Sequence, residues 1–398
     1  MCKCHDEDSQ PPRRQRIRLK SHAIRGESPD AQSAFAFAVE KLWRTLQRYQ
    51  DAGNSFEVAL AKAVAVYGRE QALVASILLS LGAFLSEIDR LPEALLCFDE
   101  ATKARTALHG SESLEVAEVV YGQGVALLFH ERFEEANACL ERALALRRAR
   151  LGPADCAVGD TLNSLGFLQL RRGRIAGRQA LDPLEEALEI RRAAGNADKV
   201  ASTLQNIGSV WKKQKNLDKW VDAHADIVTV RQEEFGLDDV RVANAWIALG
   251  NVQTSAGRLS EALASYEEAL RLRTLRHGYH DSAVAQVLLK MSALHARRGN
   301  HAGADQLLAE YMRIRGEAAR RCPDEEMAQA LTTTGDVHKE MGDKARAQIC
   351  WADAESAYRR LGYPETDTKL LKLRARRDAF PAGPAWLSTQ SFRRSKTT

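Results

Sequence analysis

Glycine or serine recurs along this chain at a nearly invariant interval: Gly82, Gly124, Gly166, Gly208, Gly250, Ser292 and Gly335 are separated by 42, 42, 42, 42, 42 and 43 residues. A period in the range of 20–50 residues marks a chain built from copies of one supersecondary unit, each too small to bury its own apolar face. Such a chain folds by stacking neighbours, and most other fold classes are excluded from the start.

The stretch Trp246 to Gly278 contains one complete copy, WIALGNVQTSAGRLSEALASYEEALRLRTLRHG. Trp246, Leu249 and Gly250 belong to a first helix that Gly257 breaks. Ala262, Tyr266 and Ala269 line one side of a second, with Glu261, Glu267, Glu268 and Arg271 largely on others, a 3.6-residue apolar period with a solvated face. The small residues matter most, because two short helices cross closely only where the side chains between them are nearly absent.

Second-helix pairs repeat the pattern at Ala94/Ala101, Ala136/Ala143, Ala180/Ala187, Ala262/Ala269 and Ala347/Ala354. Trp220/Ile227 and Ala304/Tyr311 depart from it. Between Arg174 and Gln179 the third copy holds two extra residues, and Asp182-Pro183 is expected to cap or kink its second helix. An Arg recurs near the end of the second helix (Arg105, Arg147, Arg191, Arg231, Arg273, Arg315), and Gly110, Gly152, Gly195, Gly236 and Gly278 close five of them. Basic residues complement the carbonyl end of the helix dipole, and glycine is expected to stop each helix in a left-handed conformation.

The spacing Trp246, Gly250, Ala262, Tyr266, Ala269 resembles the tetratricopeptide repeat. The 42-residue unit with ALxxR, a Gly and a short polar link, as in ALALRRARLGPADCAVGDTLNSLG, is similar to the repeat of kinesin light chains and covers about residues 75 to 360. The long heptad coiled coil that precedes the repeats in that family has no counterpart in residues 1–74, so the resemblance extends to the repeat class and not to a motor-subunit role. It implies an all-α, right-handed superhelical solenoid of about seven helix-turn-helix repeats.

The expected organisation is a basic tail over 1–30, a degenerate N-terminal capping pair over 31–74, the solenoid over 75–362, a C-terminal capping helix over 363–380 and a tail over 381–398. Residues 1–29 hold seven basic and four acidic residues and residues 369–398 eight and one, leaving the part between with a net charge of −6. A mildly acidic body thus carries two basic ends. Aromatic residues make up 6% and prolines number 10, a helical composition.

The longest uncharged apolar run, Ala72 to Leu85, has 14 residues, too few to cross a bilayer. Seven cysteines form no disulfide framework, and a cytoplasmic address is the expectation. The segment Arg13 to Arg25 has the acid-poor character of an organellar transit peptide, but Asp6, Glu7 and Asp8 precede it.

No metalloprotease, Walker, nucleophile-elbow or dinucleotide motif is present, so neither catalysis nor a cofactor is expected. Cys2, Cys4 and His5 lack a second ligand pair at zinc-site spacing. Cys97, Cys139 and Cys350 share one second-helix position, which reads as small core residues. His277 and His280 read as turn or capping residues in a link. Nucleic-acid binding would rest only on the basic ends, with no interleaved aromatic residues beyond Phe380, Trp386 and Phe392.

The resemblance places the second, fifth, ninth, twelfth and thirteenth positions of each unit on a concave groove. The candidate partner-binding residues are Asn163, Arg171, Gln205, Lys212, Lys213, Asn244, Asn251, Gln286 and Arg297, with Asp160, Ser202, Ser209, Thr254 and Ser255 beside them. Asn and Gln pair with a ligand backbone and Lys and Arg with acidic groups. The expected function is a non-catalytic adaptor that holds a partner segment, possibly acidic. The alternative is an architectural subunit of a cytoskeletal, ciliary or organellar assembly. In the first two units the same face carries Leu79, Tyr121, Val125, Leu128 and Phe129, an apolar patch that calls for a cover, either a partner or the chain's own N-terminal segment.

Overall fold

The computed structural model describes residues 72–173, 178–319 and 325–381. The N-terminal tail, residues 31–71 of the expected capping pair, the Cys2/Cys4/His5 group, the transit-like segment and the tail from residue 382 onward lie outside the described residues.

Among the described residues the chain is an all-α repeat solenoid, with fifteen helices and no strand. Seven helix pairs follow one another: α1 (Ala72–Glu87) with α2 (Leu91–His109), α3 (Leu114–Phe129) with α4 (Phe133–Leu151), α5 (Cys156–Arg172) with α6 (Arg178–Ala193), α7 (Ala197–Lys213) with α8 (Leu217–Phe235), α9 (Val240–Ser255) with α10 (Leu259–His277), α11 (Ser282–Arg297) with α12 (His301–Ala319), and α13 (Glu325–Glu340) with α14 (Lys344–Arg360). A last helix, α15 (Thr368–Ala379), follows them. The chain divides into two compact units within α4, between Leu146 and Arg147.

The recurring glycines do what their spacing demands. A Cβ on Gly82 would stand 3.0 Å from Phe98, on Gly124 2.9 Å from Leu140, on Gly250 2.6 Å from Tyr266 and on Gly335 2.5 Å from Trp351. In each case the contact lies sixteen residues downstream, one step back along the second helix. On Gly166 the nearest atom is 2.4 Å away on Leu184, eighteen residues downstream, which registers the two-residue insertion directly. Burial of Phe98, Leu140, Leu184, Tyr266 and Trp351 against these bare backbones supplies the apolar contribution that holds each pair shut.

Between the helices of a pair the chain reverses through one residue at positive φ. These are Asp89 (67°), Glu131 (62°), Gly173 (73°), Lys215 (61°), Gly257 (79°), Gly299 (76°) and Gly342 (77°), again in the repeat register. Three of the seven are not glycine and hold a conformation that L-residues disfavour.

The links between pairs are built from two caps. Gly110, Gly236 and Gly278 have φ of 86°, 86° and 80° with ψ of 158°, 162° and 158°. They are therefore not left-handed helical as expected. They occupy the extended positive-φ region that is essentially open to glycine alone. The next helix then opens on a side chain that accepts from its own first turn: Ser113 from Val116 N, Asp155 from Ala157 N, Asn196 from Lys199 N, Asp239 from Arg241 N and Asp281 from Ala283 N.

Pro183 neither caps nor visibly breaks its helix, which runs from Arg178 through it to Ala193. It is the sixth residue of α6, so the ring removes one early i→i−4 bond and leaves the rest of the ladder intact.

The recurring arginines are more than dipole complements. Arg105 Nη1 donates to the Glu115 carbonyl at 2.6 Å, Arg147 to Ala157 at 2.9 Å, Arg191 to Lys199 at 3.0 Å and Arg273 to Ala283 at 2.5 Å. Those carbonyls occupy the same position in the first turn of the next helix, so each guanidinium staples one repeat to its successor. The span is ten residues in three cases and eight at Arg191, where the link gives back the two residues inserted upstream. Arg231 breaks the series, pairing instead with Asp198 and Glu234 at 2.5 and 3.0 Å.

In the second unit, Leu370 and Leu373 of α15 are buried with Trp351 and Tyr358 of α14. Glu355, only 4% exposed, receives three guanidinium groups: Arg359 at 2.7 Å, Arg374 at 2.9 Å and Arg377 at 2.6 Å. A carboxylate at that depth is tolerated because it is charge-paired from several sides.

Candidate functional site

All nine candidate binding residues fall in the second unit, on the first helices α5, α7, α9 and α11. Eight are exposed and Asn163 is half-buried. Contacts run along this face from one first helix to the next. Asn206 Nδ2 donates to Asn163 Oδ1 at 3.1 Å and Lys213 Nζ donates to the Leu170 carbonyl, joining α7 to α5. Lys290 Nζ donates to Asn251 Oδ1 at 3.1 Å, joining α11 to α9.

Several candidates are thus engaged within the fold. Asn251 Oδ1 also accepts from the Tyr266 hydroxyl at 2.9 Å, and Asn244 Oδ1 accepts from Arg273 Nη2 at 3.0 Å. Asp160 holds Arg191 at 2.8 Å and Lys199 at 2.6 Å, so its charge is spent inside the stack. The hydroxyls of Ser209, Thr254 and Ser255 turn back to the carbonyls of Gln205, Gly250 and Asn251. Gln205, Gln286 and Arg297 extend from exposed positions, as does Arg171 in the last turn of α5.

Sequence reasoning missed Lys290 and Arg273. Lys290 sits one position past the fifth residue of its unit, outside the groove pattern, and only its reach to Asn251 brings it onto the face. Burial, with Arg273 nearby, pushes its ammonium below the usual lysine range. Arg273 carried a visible signal as a member of the arginine series.

The cations of the unit differ in the partners they meet. Lys213, Lys290 and Arg273 donate to neutral carbonyl or amide oxygens, and Lys212 lies 4.7 Å from the Trp220 ring centroid. By contrast Arg231, Arg258, Arg271 and Arg346 each meet a carboxylate of another helix or link: Asp198, Asp218, Asp238 and Asp305. Among the described residues Lys212, Lys213 and Lys290 thus meet neutral oxygens or a ring, whereas Asp281 lies close enough to act on the charge of Arg273.

The thiols of Cys97, Cys139 and Cys350 are buried or half-buried, and burial raises all three, Cys97 to about 12. Such groups are inert as nucleophiles. His280 lies in the α10–α11 link, 3.4 Å from Arg313 Nη2 and edge-on to Tyr279.

A stack of helix pairs with close-contact glycines in the first helix and a polar, exposed first-helix face defines a helical-repeat protein. The sequence model for the tetratricopeptide repeat matches residues 73–149, 199–275 and 241–317, and the chain belongs to the tetratricopeptide repeat family, with a 42-residue unit like that of kinesin light chains. The unmatched stretch between the first two segments holds the third pair, the one with the insertion.

Among solved structures, the chain is similar to the tetratricopeptide-repeat sensor STAND protein PH0952 of Pyrococcus horikoshii (15% identity, 84% of this chain, 48% of that one, TM-score 0.54). It is also similar to BtubC (BKLC) of P. vanneervenii (19%, 63% and 94%, 0.43) and to a putative kinesin light chain of Podospora anserina (12%, 52% and 99%, 0.44). At these identities the likeness is one of fold. No curated protein sequence matches the chain.

Proposed function

We propose that this protein is a non-catalytic adaptor that holds a segment of a partner protein along the first-helix face of its second unit. The observation that carries the reading is the partnering of Lys212, Lys213 and Lys290, which among the described residues meet neutral oxygens or a ring on an exposed face. A partner segment rich in Asp and Glu supplies the missing carboxylates, and Gln205 and Gln286 lie where they reach its backbone. The reading includes a cytoplasmic location, in keeping with the free thiols at Cys97, Cys139, Cys156 and Cys350.

The test is affinity purification of the intact protein from its own cells, beside a variant with Arg171, Lys212, Lys213 and Arg297 changed to Glu. Selective loss of one partner from a variant that keeps its helical content and melting profile supports the adaptor. Recovery of the same large assembly with both proteins overturns it and favours an architectural subunit held by other surfaces.

A further inference from the structure

The first-helix faces of the two units differ in kind. In the first unit Phe129 is 67% exposed, although Leu128, expected beside it, is 3% exposed and packs inward. In the second unit α9 and α11 gather hydrogen-bond donors.

Lys290 stands apart among them. It is half-buried, its ammonium carries three donors, and it makes one hydrogen bond among the described residues, to Asn251 Oδ1 at 3.1 Å. A charge drawn away from water is ordinarily paired with its opposite. Here the charged group that acts on it is Arg273, a second cation. Arg273 in turn donates to the Ala283 carbonyl and to Asn244 Oδ1, and Asp281 acts on it from the N-cap of α11.

The same two cations orient the asparagines. Lysine and arginine side chains donate and never accept, so the atoms of Asn251 and Asn244 that meet them are the carbonyl oxygens. Asn251 Oδ1 takes a second donor, the Tyr266 hydroxyl at 2.9 Å. In both asparagines Nδ2 is then the outward end of an exposed side chain, and it makes no hydrogen bond among the described residues. Asn244 and Asn251 lie seven residues apart on α9, about two turns along one face. Gln286, exposed and one turn before Lys290 on α11, adds a further amide to the same side.

Donors thus converge from neighbouring first helices, while the asparagine acceptors are turned inward and occupied. Such a set repels a cation and suits an oxyanion, whose oxygens accept from several N–H groups at once. We propose that α9 and α11 form an oxyanion subsite centred on Lys290, with the amides of Asn244, Asn251 and Gln286 as its rim, which takes a carboxylate or phosphate group. Arg273 is a positioning residue, acting through Asn244. The subsite deepens the adaptor reading and rests on it for the origin of the anion, a side chain of the partner segment.

The test follows the side-chain amide signals of Asn244 and Asn251 in the intact, isotope-labelled protein by NMR, each assigned by its own substitution. Sodium phosphate and, separately, sodium acetate are titrated at constant pH against sodium chloride of equal ionic strength. The expected result is a saturable shift of both signals with at least one oxyanion and none with chloride, and the tighter of the two assigns the group as phosphate or carboxylate. Lys290→Met keeps the aliphatic stem and removes the charge, and should weaken the response about tenfold or more, the loss of one charge-assisted hydrogen bond. Gln286→Glu, at an exposed position where folding is not at stake, should abolish the response by setting a carboxylate beside Lys290. No saturation with either oxyanion, an equal response to chloride, or undiminished binding in both variants overturns the subsite. None of these outcomes requires a partner to be recovered, so the subsite can fail while the adaptor reading stands on Lys212 and Lys213, and the reverse.

Discussion

Tyr266 fills the space that any side chain at Gly250 would need: a Cβ there would stand 2.6 Å from Tyr266 Cε1 and 2.8 Å from Cδ1. The ring is 3% exposed and its hydroxyl is tied to Asn251, so it cannot swing away. Gly250→Leu is expected to destabilise the stack by about 1–3 kcal/mol or more through overpacking. An unchanged melting temperature would contradict the close crossing of α9 and α10.

Lys215 turns the chain between α7 and α8 at a φ of 61°, in the register position where Gly257 takes 79° and Gly299 76°. Lys215→Gly should remove the steric cost of the left-handed conformation and raise stability by about 0.5–1 kcal/mol. Gly257→Ala should lower it by a similar amount. Urea midpoints measure both, and equal shifts of the same sign would show that the turn is not strained.

The Arg191 staple should contribute far more than an exposed ion pair. Arg191 is 5% exposed and donates to the Lys199 carbonyl, Thr203 and Asp160. Arg191→Ala is expected to cost about 1.5–3 kcal/mol, the range for hydrogen bonds to a charged group. Arg271→Ala, which removes the exposed pairs to Asp238 and Glu268, should cost about 1 kcal/mol or less. A double comparison by chemical denaturation checks the ranking, and equal losses would refute it.

Docking of α15 should depend on acid through Glu355. Burial acts to raise its carboxyl, but hydrogen bonds from Arg374 and Arg377 and the charge of Arg359 outweigh burial, and the net displacement is downward. A depressed carboxylate contributes stability that is fully present above its unfolded pKa, about 4.3, and lost as pH falls through the lower folded value. Hydrogen exchange of α15 should therefore accelerate as pH drops below about 4, after correction for intrinsic rates. Glu355→Gln should expose α15 to exchange at neutral pH and flatten the profile; an unaltered acid midpoint would assign the effect to another group.

Burial pushes His338 below the usual histidine range, with Asp305 acting in the other direction from 4.0 Å. Its Nδ1 has no hydrogen-bond partner among the described residues. A histidine kept neutral in the fold contributes stability above its unfolded pKa, about 6.5, and this is lost as pH falls toward the lower folded value. Stability should decline from pH 7 to 5, and His338→Gln should lessen that decline in thermal melts. An identical pH slope in the variant would rule out His338 as the source.

The repeat frame was legible in the sequence because it rests on local, periodic requirements. Gly82, Gly124, Gly166, Gly208, Gly250 and Gly335 mark crossings where nothing larger fits, and Ala262/Ala269 and their equivalents mark the opposing surface. Such constraints recur at every copy, so a 42-residue interval exposes them without coordinates. The family, the all-α class and the insertion near Arg174 follow from the same signal.

The destination of each polar side chain was not legible, since it depends on neighbours from eight to 43 positions away that only stacking brings within reach. Periodicity marked Arg105, Arg147, Arg191 and Arg273 as a series, but the stack alone shows that they cross to the next repeat's first turn. The pattern put Asn244 and Asn251 on the expected groove face, and the stack shows Arg273, Tyr266 and Lys290 already donating to them. Sequence determined where small residues must lie, because steric exclusion acts between fixed backbone positions. Tertiary structure decided which partner each charge meets, because a flexible side chain chooses its partner only after the helices have been brought together.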